Sequence, residues 1–139
     1  MYKKILVAND GSDNAFRALE VAVRLATTTG AELHSISVEE LPRYAGTVGE
    51  VIEEKAAANG RYAPVLERTR EAAGAHGLTV TCHVVVGHEV KSIVEFVSHH
   101  DVDLLVVGFM GHSALYDRVM GSTCQSLVRL APCSVLVVK

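Results

Sequence analysis

Two short stretches of the chain carry residue types and spacings that can do chemistry. The first is Gly108-Phe109-Met110-Gly111, separated by nine residues from Gly121-Ser122. Glycines let a backbone come close to an anion. Ser122 and the amides that open a helix after it can donate to phosphate oxygens. Gly-x2-Gly-x9-Gly-Ser therefore reads as a phosphate cradle, the alternative being glycines that only form turns. Its place after a predicted strand and before a predicted helix favours the cradle. The second stretch is Asp10-Gly11-Ser12. Asp10 is either a turn residue bonding nearby amides or a carboxylate for a ribose hydroxyl, and a glycine loop facing it favours the second role. His112 and Arg118 either meet phosphate charge or remain solvated in the loop.

Other chemistries find less support. Neither GxxxxGK[ST] nor GxGxxG occurs, so there is no P-loop and no Rossmann fingerprint. Cys82-His83 and His99-His100 are sequence neighbours whose side chains would point apart on a strand or helix, which disfavours either pair as metal ligands. Cys124 reads as a small buried thiol. No Ser/His/Asp nucleophile elbow or pair of catalytic carboxylates stands out.

The elements that must position these residues follow from periodicity. Ile5 to Ala8 is a short apolar run, and Ser12 can cap a following helix. In that helix Ala15, Leu19, Ala22 and Ala26 form one apolar stripe before Gly30 stops it. Leu33 to Val38 reads as a second strand, made polar by His34, Ser35 and Ser37. Pro42, Gly46 and Gly49 mark a loop, then a helix over Glu50 to Asn59 is expected to break or kink at Gly60 and Pro64 before resuming over Val65 to His76. Leu78 to Val86 gives a third strand, and Val90, Ile93, Val94 and Val97 give the apolar face of a third helix. Asp103 to Val107 is a fourth strand, Gly108 to Gly121 a loop, Ser122 to Leu130 a fourth helix and Ser134 to Val138 a last strand. This alternation means an α/β fold of parallel strands with helical crossovers covering both faces. The 139 residues suit one domain spanning 1–139.

Composition narrows the function. Aromatic residues are 5% with no Trp, which gives no stacking platform for bases, and 13 Lys plus Arg against 16 Asp plus Glu leaves a net charge of −3. Nucleic acid is therefore not the expected partner. The apolar runs Leu104 to Val107 and Val135 to Val138 are far short of the ~20 residues a membrane span needs. The opening apolar run ends at Asn9-Asp10-Gly11-Ser12, too soon for a signal peptide. With the odd set Cys82, Cys124 and Cys133, this leads us to expect a cytoplasmic protein.

Taken together, several pieces resemble the universal stress protein family, and within it the ATP-binding branch. They are Tyr2 to Ala8, Asp10-Gly11-Ser12, Val85-Val86-Gly87, Asp103 to Gly108, Gly111-His112-Ser113, Met120-Gly121-Ser122 and Ala131 to Val138, spread over essentially the whole chain. The resemblance implies a five-stranded parallel sheet of strand order 3-2-1-4-5 with helices on both faces, layered as in adenine nucleotide alpha hydrolase-like and flavodoxin-like proteins. It implies that Asp10 meets the ribose and the Val38 backbone the adenine. It places Gly108, Gly111, Gly121 and Ser122 on ribose and phosphates, with Met110, His112, Ser113 and Thr123 lining the same loop. The implied ligand is ATP, with ADP or AMP as variants, carrying Mg or Mn on its phosphates rather than at a protein metal site. It also implies a homodimer through Val135 to Val138, and an exposed aliphatic edge strand independently calls for a cover.

Where relatives often have smaller or polar residues this chain has Phe109-Met110, and it has Ala15 and Ser134 where Ser and Pro are frequent. The expected function is an ATP-binding regulatory module in a stress response, read by a dimer mate or an unidentified protein partner. The alternatives are a slow ATP hydrolase or phosphotransferase using His112, Asp117 or Arg118, and a dimeric protein independent of nucleotide.

Overall fold

The computed structural model of the chain describes residues 1–40, 47–110 and 120–139, except for the side chain of residue 54. Strands and helices alternate: β1 (Lys4–Ala8), α1 (Asp13–Thr29), β2 (Glu32–Glu40), α2 (Val48–Gly74), β3 (Val80–Gly87), α3 (Glu89–His99), β4 (Leu104–Gly108), α4 (Ser122–Leu130) and β5 (Ser134–Val138). The strands form one sheet in the order β3-β2-β1-β4-β5. Every neighbouring pair is parallel, from Ile5 opposite Leu33 and Leu104 to Leu105 opposite Val135. The predicted fold and strand order are those observed.

β1 takes the central place because Ile5, Leu6 and Val7 can be buried from both sides, and all three are 0% exposed. Burying each such side chain contributes about 1.5–3 kcal/mol. Alternation along the strands divides the core in two. On one face Ile5, Val7, Leu33 and Val106 pack with Phe16, Leu19 and Val23 of α1 and Ala73 of α2. On the other, Leu6, Ile36, Leu105 and Val107 pack with Ile93 and Val97 of α3 and Cys124 and Leu127 of α4.

α1 forms as its sequence signals demand. Ser12 Oγ accepts from the Ala15 amide at 3.2 Å, and Ala15, Leu19, Ala22 and Ala26 are buried on one stripe. Gly30 ends the helix at φ 74°, a left-handed conformation that glycine adopts without steric cost. α2 departs from expectation. It is one helix of 27 residues passing through both Gly60 and Pro64. Proline removes one hydrogen bond and crowds the carbonyl four residues earlier, but that residue is Gly60, beside which a Cβ would find nothing within 4 Å. Anchors on both sides hold the helix on its path, with Ala58 and Ala73 fully buried, Arg61 paired to Glu39 and Thr69 accepting from Asn9.

Strand ends also differ from the sequence reading. β2 runs two residues further, to Glu40, because its ladder with β3 continues through Glu39 opposite Val86 and Glu40 opposite Gly87. Pairing of this kind is invisible in local polarity. β5 lies at one edge of the sheet with Val135 to Val138 half-buried. Among the described residues no helix is long and apolar enough to cross a membrane.

Candidate functional site

From β1 the chain winds toward β2 and β3, and from β4 toward β5, so the carboxyl ends of β1 and β4 diverge and leave a crevice between them. A cavity of about 360 Å³ opens there. Its lining joins Ala8 and Asp10 after β1, Val38 to Glu40 at the end of β2, Val107 to Met110 at the end of β4 and Gly121 to Cys124 at the start of α4.

The turn after β1 is held from beneath by Asn9, which is 2% exposed. Its amide and carbonyl bond Ile36 O and Ser37 Oγ, while its side chain accepts from Gly11 N–H at 2.9 Å and donates to Thr69 Oγ1 at 3.2 Å. Asp10 Oδ1 accepts from Ser12 N–H at 2.9 Å, and Gly11 turns at φ 84°. Asp10 is thus the turn residue of one sequence reading, and it also faces the cavity required by the other.

Across the crevice the backbone after β4 is pinned in three directions. Phe109 N–H donates to Val138 O at 2.8 Å, Gly121 N–H donates to Phe109 O at 2.9 Å, and Met110 N–H donates to Asn14 Oδ1 at 2.7 Å. The bulky Phe109-Met110 pair therefore lines the pocket on a backbone tied to β5, α4 and α1. Gly108 is glycine because α1 passes over it. A Cβ there would lie 2.5 Å from Asn14 Oδ1 and 3.2 Å from the Asn14 carbonyl carbon. Gly121 has a different reason, since its φ of −63° and ψ of 149° are open to any residue. What glycine supplies there is the missing side chain at the mouth of a helix.

That helix end is distinguished by comparison with the others. Ser12 caps α1, Thr47 and Glu50 form a capping box on α2, and Glu40 Oε1 accepts from Glu89 N–H at 2.8 Å at the start of α3. At α4 the cap residue Gly121 has no side chain, no acid stands in the first turn, and among the described residues no side chain accepts from its first amides. These amides, with the positive end of the helix dipole behind them, open onto the cavity and suit an anionic group.

The opposite wall is acidic and aromatic. Glu39, Glu40 and Glu89 line it with Tyr62, whose hydroxyl donates to Val38 O at 3.2 Å. Burial first, then the negative charges of Glu39, Asp10 and Glu89, raise the Tyr62 pKa above the ordinary 10.0. Cys124 lies at the base, 4% exposed, its thiol pKa pushed up by burial.

Of the residues singled out in the sequence, Asp10, Val38, Gly108, Met110, Gly121, Ser122 and Thr123 all line this one cavity. Gly111, His112 and Ser113 lie outside the described residues, as do Asp117 and Arg118. Sequence reasoning missed Tyr62, Glu39, Glu40 and Glu89, which α2, β2 and α3 bring to the rim. It also missed Asn9 and Asn14. Asn9 carried a readable signal, an amide beside Asp10-Gly11 in a turn.

A model of the universal stress protein family matches residues 1–139. The chain belongs to the universal stress protein family. Universal stress protein MJ0531 of Methanocaldococcus jannaschii is 31% identical to it, over all of this chain and 83% of its own length. The solved universal stress protein UspA from Lactobacillus plantarum superposes with a TM-score of 0.86 at 26% identity, over 99% of this chain and 98% of that one. Another universal stress protein, solved in complex with cAMP, superposes with a TM-score of 0.77 at 29% identity, over 99% of this chain and 97% of the other. Such proteins share the sheet order that opens the crevice between β1 and β4.

Proposed function

We propose that the cavity binds an adenine nucleotide, ATP in its working form, and that the protein is a nucleotide-dependent regulatory module of a stress response. One observation carries this reading. The crevice at the winding reversal has opposite chemistry at its two ends, the glycine-capped start of α4 at one and the Val38 backbone with Tyr62 at the other. An anionic phosphate chain suits the first end and the acidic wall repels it from the second, so the base lies toward β2 and the phosphates toward α4. In this reading Asp10 meets the ribose hydroxyls.

Support also comes from the universal stress protein solved with cAMP, an adenine nucleotide, at 29% identity. Among the described residues no group of three or more His, Cys, Asp or Glu is arranged to hold a metal ion. In this reading Mg²⁺ or Mn²⁺ is carried by the phosphates, where it neutralises their charge. A micromolar affinity corresponds to about 8 kcal/mol. Backbone donors, a helix terminus contributing up to ~2 kcal/mol and burial of the adenine are sufficient sources. The protein acts as a single domain in the cytoplasm, as a homodimer along β5.

Isothermal titration of the full chain with MgATP tests the reading. Saturable one-site binding that Gly121→Val abolishes supports it, and no heat or thermal stabilisation at millimolar MgATP overturns it.

A further inference from the structure

Asn14 lies in the first turn of α1, 6% exposed, and both of its side-chain hydrogen bonds leave the helix. Oδ1 accepts from Met110 N–H at 2.7 Å, and Nδ2 donates to Val138 O at 3.3 Å. Both partners are backbone groups, one only a donor and the other only an acceptor, so they fix which way the amide points. Val138 O receives Phe109 N–H as well. The last residue of the edge strand β5 is thus tied to two consecutive residues of the loop that lines the cavity, directly to Phe109 and through Asn14 to Met110.

α1 itself does not need this side chain. Ser12 already caps the helix, and Ala has the higher helix propensity at such a position. Gly108 lacks the Cβ that would collide with Asn14 Oδ1 at 2.5 Å, so the strand end and the asparagine fit only as a pair. An amide that accepts on one side and donates on the other is polarised by both bonds at once. Any change in how Met110 presents its N–H is therefore felt at Val138 O.

We propose that Asn14 is a positioning residue that sets the Met110 amide in the nucleotide loop and relays the state of that loop to the outer edge of the sheet through the Val138 carbonyl. The inference rests on the nucleotide reading above. It supplies the route by which occupancy of the cavity reaches the one edge of the sheet next to it, 124 residues along the chain from Asn14.

The test is NMR of the isotopically labelled full chain with saturating MgATP, reading the Val138 carbonyl carbon and the Lys139 amide. In the wild type both resonances shift on binding. In Asn14→Ala the shift at saturation falls below about a third of the wild-type value, and ATP affinity weakens by about tenfold, the equivalent of one hydrogen bond. Asn14→Asp has the same shape, keeps an acceptor for Met110 and turns an oxygen toward Val138 O. It loses the β5 response at saturation and serves if the alanine variant does not fold. Either variant, folded and saturated, showing the full wild-type response at Val138 and Lys139 overturns the relay while leaving nucleotide binding intact. A wild type that binds no MgATP overturns both readings.

Discussion

Tyr62 in α2 donates its hydroxyl to the carbonyl of Val38 at 3.2 Å, closing the cavity rim between a helix on one face of the sheet and the end of β2. A tyrosine hydroxyl is protonated across the neutral range, and burial with the nearby carboxylates raises its pKa further, so the donor is kept there. Tyr62→Phe is expected to lower stability by about 1 kcal/mol, the ordinary net value of such a bond, and urea denaturation checks it. Tyr62→Ala removes the ring from the wall, and adenosine affinity should fall by about tenfold.

The two site glycines should fail in different ways. Gly108→Ala places a Cβ against Asn14, including its backbone, and is expected to cost about 1–3 kcal/mol of stability as overpacking. Gly121→Val meets no backbone restriction at φ −63°. It should melt within a few degrees of the wild type while losing ATP binding. Calorimetric melting together with ATP titration separates the two outcomes.

Stability should depend on pH through His83. Its Nε2 lies 3.0 Å from His34 Nδ1, its ring faces His100 at 6.3 Å, and Phe96 packs on it at 4.6 Å. Burial first, then His34, His100 and Lys55, lower its pKa below the ordinary 6.5. The unfolded chain then binds a proton that the folded chain refuses, so stability is complete above the ordinary histidine value and falls as pH drops through it toward the lowered folded value. The urea midpoint should be lower at pH 5.5 than at 7.5, and His83→Asn should reduce that difference. An unchanged difference would assign the effect to other groups.

Much of this was legible in the sequence where the determinant is local. Ser12, the alanine stripe of α1 and Gly30 announce their helix because cap, face and stop lie within one element. The aliphatic runs of β1 and β4 announce a sheet buried on both sides. Asp10 and the glycines of 108 and 121 were readable because each follows a strand or opens a helix. Tyr62, Glu89 and Asn14 were not, because nothing near them marks a site. They reach the cavity only when α2, α3 and α1 are folded against the sheet. The continuous α2 was missed for a related reason, since the contacts holding it through Pro64 come from β2 and from Asn9. His83 and His100, each set aside with its sequence neighbour, meet across β3 and α3 beside His34.

The central claim is the direction in which a nucleotide lies in the cavity, and comparing ATP with adenosine by amide chemical-shift mapping tests it most directly. MgATP should move the amides of both Val38–Glu39 and Gly121–Thr123, while adenosine should move only the first group. MgATP moving neither group, or adenosine moving the start of α4 as strongly as MgATP does, would contradict the account.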